Sequence, residues 1–486
     1  MSTRPGSPGP ASAALFDRFL STPTMAEVFG EQAIVQGMLD FEAALARAQA
    51  AEGLIPGVAA APIVAACRVE QFDLDAIVNA GSVAGTLAIP LVKQLTALVA
   101  AQDAPAAGYV HWGSTSQDVI DTAMVLATRR ALALIDARLG DLTNALLKLV
   151  DAHGEAPLLG RTLMQPALVI SVGFKLVAWV APLVRTRQRL RDAARAALKL
   201  QLGGAVGTLS AMGERGAAVA QRMADDLRLA HAPGAWHTQR DEWVALGCEV
   251  GLLCGTLGKI ARDISLLAQG EIAEVAEPSG GGRGGSSAMP HKRNPGASMI
   301  AIAASMRAPH HVAALLAAMP QEHERGLGNW QAELAEWPGL FLSAHGAVHA
   351  LADAAAGLAV DTARMRRNID ALNGLVFAEA AAMLLARHLG KARAQALLES
   401  LSRRVVSEQR PLLTLVQEAV SATATLGAKN GADELRAAFD ADAAARFASG
   451  TVAAQWADLR QRAGAFGAWP PFGPDAQPST LRSAIQ

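Results

Sequence analysis

A run of sixteen residues, GGGRGGSSAMPHKRNP at positions 280–295, constrains the fold and the chemistry of this chain more than any other segment. Five of its first six residues are glycine. Because glycine loses more backbone entropy on folding than any other residue, such a run does not serve stability and predicts a loop that opens and closes. The serines, Lys292 and Asn294 that follow are groups suited to holding an oxyanion or a carboxylate. From composition alone, a Gly/Ser linker followed by a basic turn explains the segment about equally well.

The same segment carries a resemblance to a known family. GSSAMPHKRNP at residues 285–295 resembles the GSSxMPxKxNP signature of the fumarase/aspartase superfamily, with every fixed position present. The resemblance, which extends over most of the chain, implies an all-α fold of three helical domains with a central long-helix bundle. It also implies a homotetramer whose active sites are shared between subunits. In those sites Ser286 would be the general base, and Lys292 and Asn294 would stabilise a carbanion beside a carboxylate.

A second segment, YVHWGSTSQDVIDT at residues 109–122, places three hydroxyl side chains directly before a predicted helix. Ser or Thr before Asp is typical of a helix N-cap, and the residues alone favour that interpretation. Free N–H groups at a helix N-terminus also bind anions. The segment is similar to the superfamily's H-x-G-x-T-S-x-D motif, which implies that His111, Ser114, Thr115 and Ser116 bind a carboxylate of the substrate.

A third segment, GRTLMQPA at residues 160–167, resembles the superfamily's GRTHxQ motif with one departure. The resemblance implies Arg161 and Gln165 as substrate-binding residues. Leu163 stands where many relatives carry a histidine that helps to protonate an amine or hydroxyl leaving group. An aliphatic side chain cannot supply that proton, whereas a carboxylate, with a pKa of about 4, leaves or attacks unaided at neutral pH. Glu333 matches the usual partner of the histidine, so its expected role is reduced to a structural one.

Leu163 and two further segments favour the cycloisomerase branch of the superfamily. AGTLAIPLVKQL at residues 84–95 and WHTQRDEW at residues 236–243 resemble that branch, and the second implies Thr238 and Gln239 as substrate-binding residues. The implied reaction cyclises 3-carboxy-cis,cis-muconate, a small tricarboxylate, to 4-carboxymuconolactone through an aci-carboxylate carbanion. It belongs to protocatechuate breakdown in the β-ketoadipate pathway.

Three alternatives remain open at this point. An elimination of fumarate like that of adenylosuccinate lyase is disfavoured by Leu163. A non-catalytic structural member of the superfamily is disfavoured by the intact set of Ser286, Lys292 and Asn294. A muconate with a different substituent is not distinguished by the sequence.

Composition agrees with a helical enzyme that acts on a small molecule. Hydrophobic residues make up 51% of the 486 and aromatic residues only 4%, which favours close-packed helices over a β-sandwich. The 43 basic and 44 acidic residues give a net charge of −1, which suggests neither a nucleic-acid nor a membrane partner. No HExxH, P-loop or EF-hand pattern occurs in the sequence, so no metal or cofactor is implied. Three cysteines without metal-type spacing fit a reducing, cytoplasmic setting.

The order of the predicted elements divides the chain into five parts. They are a Pro/Gly/Ser-rich N-terminus expected to be disordered at 1–15, an N-terminal helical domain at 16–110, a central bundle domain at 111–361, a C-terminal helical domain at 362–463 and a Pro-rich tail at 464–486.

Long helices are predicted within the central domain, at about 166–202, 242–276, 296–319 and from about 331. The apolar run at 167–184 contains Lys175 and continues into a charged stretch, which predicts a buried helix and not a membrane span. Glycines at 247, 251, 255 and 258 fall about a turn apart, so we expect that face of the second helix to approach another helix closely.

Overall fold

The computed structural model describes residues 15–286, 288–422, 430–467 and 469, and these residues form a predominantly helical fold. Seven helices come first: α1 Leu15–Phe19, α2 Pro23–Val28, α3 Glu31–Ala51, α4 Gly57–Ala66, α5 Leu74–Ala84, α6 Ala88–Gln102 and α7 Ala104–Ala107. Thr22 begins α2 because its Oγ1 accepts the Met25 N–H at 3.2 Å, which is the N-cap that the Thr-Pro pair predicts. The longest of the seven, α3, packs against the bundle that follows.

Five long helices pack side by side in the middle of the chain and form this bundle. In order, the elements are α8 Ser116–His153, β1 Pro157–Thr162, β2 Gln165–Ser171, α9 Val172–Ala197, α10 Gly216–Leu227, α11 Asp241–Leu267, β3 Val275–Ala276, α12 Gly296–Ala318 and α13 Asn329–Ala356. The short α10 packs on α3, and β1 and β2 form an antiparallel hairpin.

The remaining elements are β4 Ala359–Val360, α14 Thr362–Asp370, α15 Ala378–Leu389, α16 Lys391–Glu408, α17 Leu412–Ala422, α18 Asn430–Ala438, α19 Ala441–Thr451 and α20 Ala453–Ala465. Strand β4 pairs with β3. Helices α15 to α18 share a hydrophobic cluster of their own, whereas α20 returns to pack on α8 and α9. Short 3-10 segments occupy Val69–Gln71, Gly213–Arg215 and Leu375–Phe377.

The bundle has two ends that matter for function. At the first end, α8, α11 and α13 begin; at the second end, they finish, and the loop that precedes α12 begins. Because an α-helix rises about 1.5 Å per residue, the 28 residues of α13 span roughly 42 Å between these ends. Segments at opposite ends of one protomer therefore cannot touch the same small molecule.

A stacked pair of tryptophans anchors the bundle core. The Trp243 ring on α11 and the Trp337 ring on α13 lie 4.0 Å apart between centroids at an interplanar angle of 12°. Trp337 is fully buried, and its Nε1–H donates to Thr128 Oγ1 on α8 at 2.8 Å. This contact satisfies the indole donor and ties three of the five helices together.

The glycine face of α11 meets α12, as its spacing predicts. A Cβ on Gly247, Gly251 or Gly258 would lie within 2.8 Å of side-chain atoms of Leu315, Val312 or Ser305, respectively. These three positions therefore allow the close approach of the two helices. The fourth glycine, Gly255, has nothing within 4 Å in the described protomer.

The all-α fold class with a central bundle of long helices is confirmed, with two local errors. The helix predicted from residue 166 begins at Val172, because residues 165–171 form strand β2 and Ser171 Oγ caps the helix by accepting the Phe174 N–H at 3.0 Å. The helix predicted to reach residue 276 ends at Leu267. The domain boundaries stay predictions. The N-terminal segment expected to be disordered and most of the Pro-rich tail lie outside the described residues.

Two bundle helices, α11 and α12, are long and apolar enough to cross a membrane by length and composition. The apolar run at residues 167–184, which the sequence predicts to be a buried helix, is neither of these two helices. Both lie in the bundle and pack on each other, but much of α12 stays uncovered, with Met299 and Met306 more than half exposed. An apolar surface of this kind on one protomer calls for a covering partner.

We predict that Trp337→Ala lowers the free energy of unfolding by about 3–5 kcal/mol, because it removes a fully buried ring and leaves a cavity between three helices. Denaturant unfolding at a fixed protein concentration measures the change. Phe447→Ala is the control: this ring is 77% exposed, and its loss is expected to cost less than about 0.5 kcal/mol. Equal losses in the two variants would contradict the role of the tryptophan stack.

Candidate active site

The N-terminus of α8 forms a polar pocket wall at the first end of the bundle. Thr115 is the N-cap residue, and its N–H donates to Asp118 Oδ2 at 3.1 Å. Asp118 is fully buried and also accepts the Gly203 and Gly204 N–H groups at 3.0 and 2.9 Å. His237 Nε2 lies 2.7 Å from Asp118 Oδ1. Asp118 thus joins the start of α8 to the Gly-rich connector at residues 202–213. The interpretation of this segment as a helix N-cap is therefore correct.

His111 and Ser114 lie beside this helix start and contact each other. Ser114 Oγ is 2.9 Å from His111 Nδ1 and also lies 3.3 Å from the His111 carbonyl oxygen, to which the hydroxyl donates. Glu42 Oε1, on α3, is 2.6 Å from the same Nδ1. The Ser114 hydroxyl proton is therefore engaged within the segment. Ser116, the first residue of α8, keeps a hydroxyl without a side-chain hydrogen bond among the described residues.

Arg325 supplies positive charge at the same end. Its Nη1 donates to Thr115 Oγ1 at 2.7 Å, and its Nη2 donates to the Gly204 and Ala205 carbonyls at 3.1 and 2.9 Å. No carboxylate in the described part of the chain forms an ion pair with it. Because Thr115 Oγ1 accepts from Arg325, its own O–H is free to donate. A carboxylate at this place would meet a free hydroxyl, the Arg325 charge and the positive end of α8.

A buried network of ion pairs lies next to the start of α8. Arg240 lies between Asp121, which it contacts at 2.9 Å, and Glu333, and both carboxylates are 1% exposed. Trp330 Nε1–H donates to Asp121 at 3.0 Å, and the guanidinium lies 4.6 Å from the Trp236 ring centroid. Glu333 is thus the partner of Arg240, in agreement with the structural role that the sequence leaves to it.

Burial and charge act against each other on these groups. Burial lowers the pKa of the Arg240 guanidinium, but the Asp121 and Glu333 carboxylates outweigh it and raise that pKa. Burial raises the pKa of Glu333, and the attraction of Arg240 only partly counters the effect, so the pKa stays above its usual value. Arg240 is therefore the counter-ion that two buried carboxylates share inside the bundle.

The loop at residues 280–295, the signature loop, lies at the second end of the bundle. Just before it, Glu277 caps α12 by accepting the Ala297 and Ser298 N–H groups at 2.9 Å each. Gly284 has a left-handed φ of +65°, and a Cβ there would lie 2.6 Å from the Asn294 carbonyl oxygen, so only glycine fits. The Asn294 N–H in turn donates to the Gly284 carbonyl at 2.8 Å. These contacts close the base of the loop.

Ser286, Lys292 and Asn294 are all presented by this closed loop. Ser286 Oγ accepts the Met289 N–H at 3.1 Å and the Ala288 N–H at 3.4 Å. Both donors come from residues that follow the serine. Lys292 is exposed, and its ammonium has no ion pair within the described residues. Two N–H donors stabilise negative charge on Ser286 Oγ, which is the requirement for a serine to act as a base.

The β1–β2 hairpin carries the third group of predicted residues. Arg161 forms two hydrogen bonds, of 2.9 and 2.8 Å, with the buried carboxylate of Glu274, so its predicted contact with substrate stays a prediction for a side chain that already has an ion-pair partner. Leu163 and Met164 form the tip of the turn with left-handed φ values of +49° and +67°. Leu163 is 97% exposed and Gln165 is also exposed. The hairpin therefore carries an exposed apolar side chain on a strained backbone.

The structure therefore groups the predicted site residues in three places. His111, Ser114, Thr115 and Ser116 lie at the first end, where half-buried Thr238 and exposed Gln239 adjoin His237. The signature loop lies at the second end, with Arg283 Nη2 4.0 Å from Asp353 Oδ2 near the end of α13. The hairpin follows the C-terminus of α8 and is likewise far from Thr115. In the described residues, no group of three His, Cys, Asp or Glu side chains could hold a metal ion.

Glu42 escaped the sequence predictions. Arg325 is, from the sequence, one of four arginines that could meet a tricarboxylate, together with Arg161, Arg283 and Arg293. A signal for Glu42 exists, because it is a lone acid within the apolar run FEAALA of a long predicted helix. Its partner, however, lies 69 residues away, which no local pattern reveals.

Comparisons with known proteins agree over most of the chain. The sequence model of a lyase family matches residues 18–309. A 3-carboxy-cis,cis-muconate cycloisomerase from Pseudomonas aeruginosa is 48% identical over 85% of this chain and 90% of its own length. A nitrosuccinate lyase from Streptomyces davaonensis is 40% identical over 86% of this chain and 91% of its own. The crystal structure of the 3-carboxy-cis,cis-muconate lactonizing enzyme from Pseudomonas putida is similar with a TM-score of 0.86 at 44% identity, covering 92% of this chain and 99% of that one.

We predict that Arg240→Met lowers the free energy of unfolding by about 3–5 kcal/mol, because two buried carboxylates lose their counter-ion. With Arg240 gone the pKa of Glu333 rises further above its unfolded value, so the deficit is expected to shrink as the pH falls. Denaturant unfolding across pH measures both effects. Adding Glu333→Gln to Arg240→Met should recover part of the loss, and strictly additive losses would contradict the network.

Proposed function

The chain belongs to this lyase family, within the fumarase/aspartase superfamily, and on that premise we propose that it cyclises 3-carboxy-cis,cis-muconate to 4-carboxymuconolactone. The observation that carries the choice of reaction is Leu163, an aliphatic residue at the exposed tip of the hairpin where a proton-donating histidine would serve other members. A carboxylate attacks as an anion and needs no proton donor or acceptor at that position. The similarity to two cycloisomerases over most of the chain supports the same reaction.

In this proposal the protein's task is to stabilise a doubly negative intermediate. One carboxylate oxygen of the substrate forms a C–O bond to a carbon of its own double bond, and the electron pair moves to the carbon beside another carboxylate. Lys292 and Asn294 stabilise the resulting aci-carboxylate. Ser286 O–H then delivers the proton to that carbon, and the Ala288 and Met289 N–H groups hold the alkoxide left behind. In the reverse direction the same serine is the general base.

Binding of the tricarboxylate is assigned to the first end of the bundle. Thr115 and Ser116 offer hydroxyl donors at the start of α8, and Arg325 offers a guanidinium with no carboxylate partner in the described chain. Thr238, Gln239 and Gln165 remain candidates for the other carboxylates. Arg161 is left out because it is paired with Glu274.

We further propose that the active sites are shared between subunits of a homotetramer in the cytoplasm. The loop of Ser286 and the wall of Thr115 lie at opposite ends of a bundle roughly 40 Å long, so one protomer cannot close both around one substrate. Copies packed with opposite bundle ends together would do so. Met299, Met306 and Leu316 of α12 and Leu252 of α11 are about half exposed or more and supply the apolar face for that packing.

We predict that Ser286→Ala lowers kcat by about 10²–10⁴-fold and largely spares KM, because it removes the proton donor and leaves the binding groups. The loss of muconate absorbance on cyclisation measures the rate. Ser279→Ala is the matched control in the same loop and should retain activity near that of the wild type. Similar kcat values for Ser286→Ala and the wild type would refute the role.

The same assay separates the alternative reactions. Nitrosuccinate, named in the Streptomyces relative, is the second candidate because its reaction also fits an aliphatic residue at 163. Turnover of nitrosuccinate or adenylosuccinate without turnover of 3-carboxymuconate would overturn the choice of substrate while leaving the lyase family unaffected. No turnover of any of the three would favour a structural member.

Shared sites predict that two inactive variants restore each other. Ser286→Ala and Arg325→Ala, co-expressed, should form mixed tetramers in which about a quarter of the sites combine intact segments from different subunits. Ser286→Ala with Lys292→Ala is the control, since both changes lie in one loop and cannot complement. Light scattering should give four copies of the 50.3 kDa chain. No recovery in the first pair would contradict shared sites.

A further inference from the structure

Glu42 is a fully buried acid on α3 whose contacts point to the candidate site. Its side chain is 1% exposed, and Oε1 lies 2.6 Å from His111 Nδ1. Oε2 is buried and has no hydrogen-bond partner among the described residues. His111 is thus the one group in the described chain that pairs with this charge. Burying a carboxylate is costly unless it is paired, so the pair is maintained against a desolvation cost.

The backbone and the neighbouring contacts hold His111 in one orientation. Its φ is +58°, a left-handed conformation that histidine rarely adopts. Gln49 lies seven residues after Glu42 on the same face of α3, and its Nε2–H donates to the Trp112 carbonyl at 2.6 Å. The same face of α3 therefore fixes two consecutive residues of the loop before α8.

The ring of His111 is fixed by one edge and open at the other. A carboxylate only accepts hydrogen bonds, so Nδ1 carries a proton toward Glu42. The Nε2 atom has no partner among the described residues, and the side chain is 18% exposed. The open edge belongs to the segment that ends in Thr115 and Ser116.

We propose that Glu42 is a positioning residue for substrate binding, which holds His111 as an imidazolium whose Nε2–H donates to a carboxylate of the substrate. This inference rests on the proposed function of the α8 end as a carboxylate site. It adds a second cation to Arg325 in that wall and gives the buried acid on α3 a role in the reaction.

The charges around His111 support this state. Burial lowers the pKa of His111, but the charge and hydrogen bond of Glu42, followed by the charge of Asp118 on α8, outweigh it and raise the pKa above its ordinary 6.5. The other groups that face the pair are the Ser114 hydroxyl and the buried Cys67 thiol, whose pKa is itself raised by burial and by Glu42. Imidazolium therefore persists to higher pH than for a free histidine and is lost as the pH rises through the raised pKa.

The test is the pH dependence of binding in Glu42→Gln, an isosteric variant without the charge. We expect its KM for 3-carboxymuconate to rise about tenfold near pH 8 with little change near pH 6 or in kcat, because the histidine then loses its proton at lower pH. Glu42→Asp should recover part of the affinity. Glu52→Gln, a neutralisation at the end of the same helix, is the control and should match the wild type.

A second readout keeps this test independent of the reaction. Calorimetric binding of propane-1,2,3-tricarboxylate across pH should show the alkaline loss of affinity displaced downward by about one pH unit in Glu42→Gln. Failure of the proposed reaction with retention of this displacement would leave the inference intact. Superimposable pH profiles of wild type and Glu42→Gln, or a loss that is equal at every pH and accompanied by a lower Tm, would overturn it.

Discussion

The ion pairs of one buried arginine with two acids hold the helix starts at the first end of the bundle in place. Arg240 on α11 contacts Asp121 on α8 and Glu333 on α13, so the three helices that begin there keep a fixed relation to one another. One turn before Asp121 on α8, Asp118 turns back to the Gly203 and Gly204 N–H groups and fixes the connector. The half-buried donors of Thr115 and Ser116 are therefore positioned by a network that is itself buried.

Length separates the chemistry of this fold into two halves. The donors that would bind the substrate lie where α8 begins, and the serine that would transfer the proton lies in the loop before α12. Since the connecting helices are long, motion of the loop alone cannot bring Ser286 to Thr115. In the proposed homotetramer, association of several copies would make the closed site, and the uncovered apolar surface of α12 fits that proposal.

Much of this could be predicted from the sequence, because the signals are local. The Ser286 loop, the cap at Thr115 and the glycine face of α11 each lie within one short segment whose chemistry can be recognised. The parts that escaped depend on distant pairings. Arg161 looked available until its ion pair with Glu274, 113 residues away, was seen. Residues 165–171 are apolar enough for a helix, but pairing with β1 makes them a strand.

The distribution of charge links the fold to the proposed chemistry. Cations inside the bundle or beneath the hairpin, such as Arg240 and Arg161, are matched to buried carboxylates and stabilise the structure. Lys292 and Arg325 have no carboxylate partner in the described protomer, and they lie at opposite ends of the bundle. A dianionic intermediate needs positive charge that is not already neutralised. Because the two unpaired cations come from opposite ends, only an assembled site would place both around the same substrate, which couples catalysis to association of the subunits.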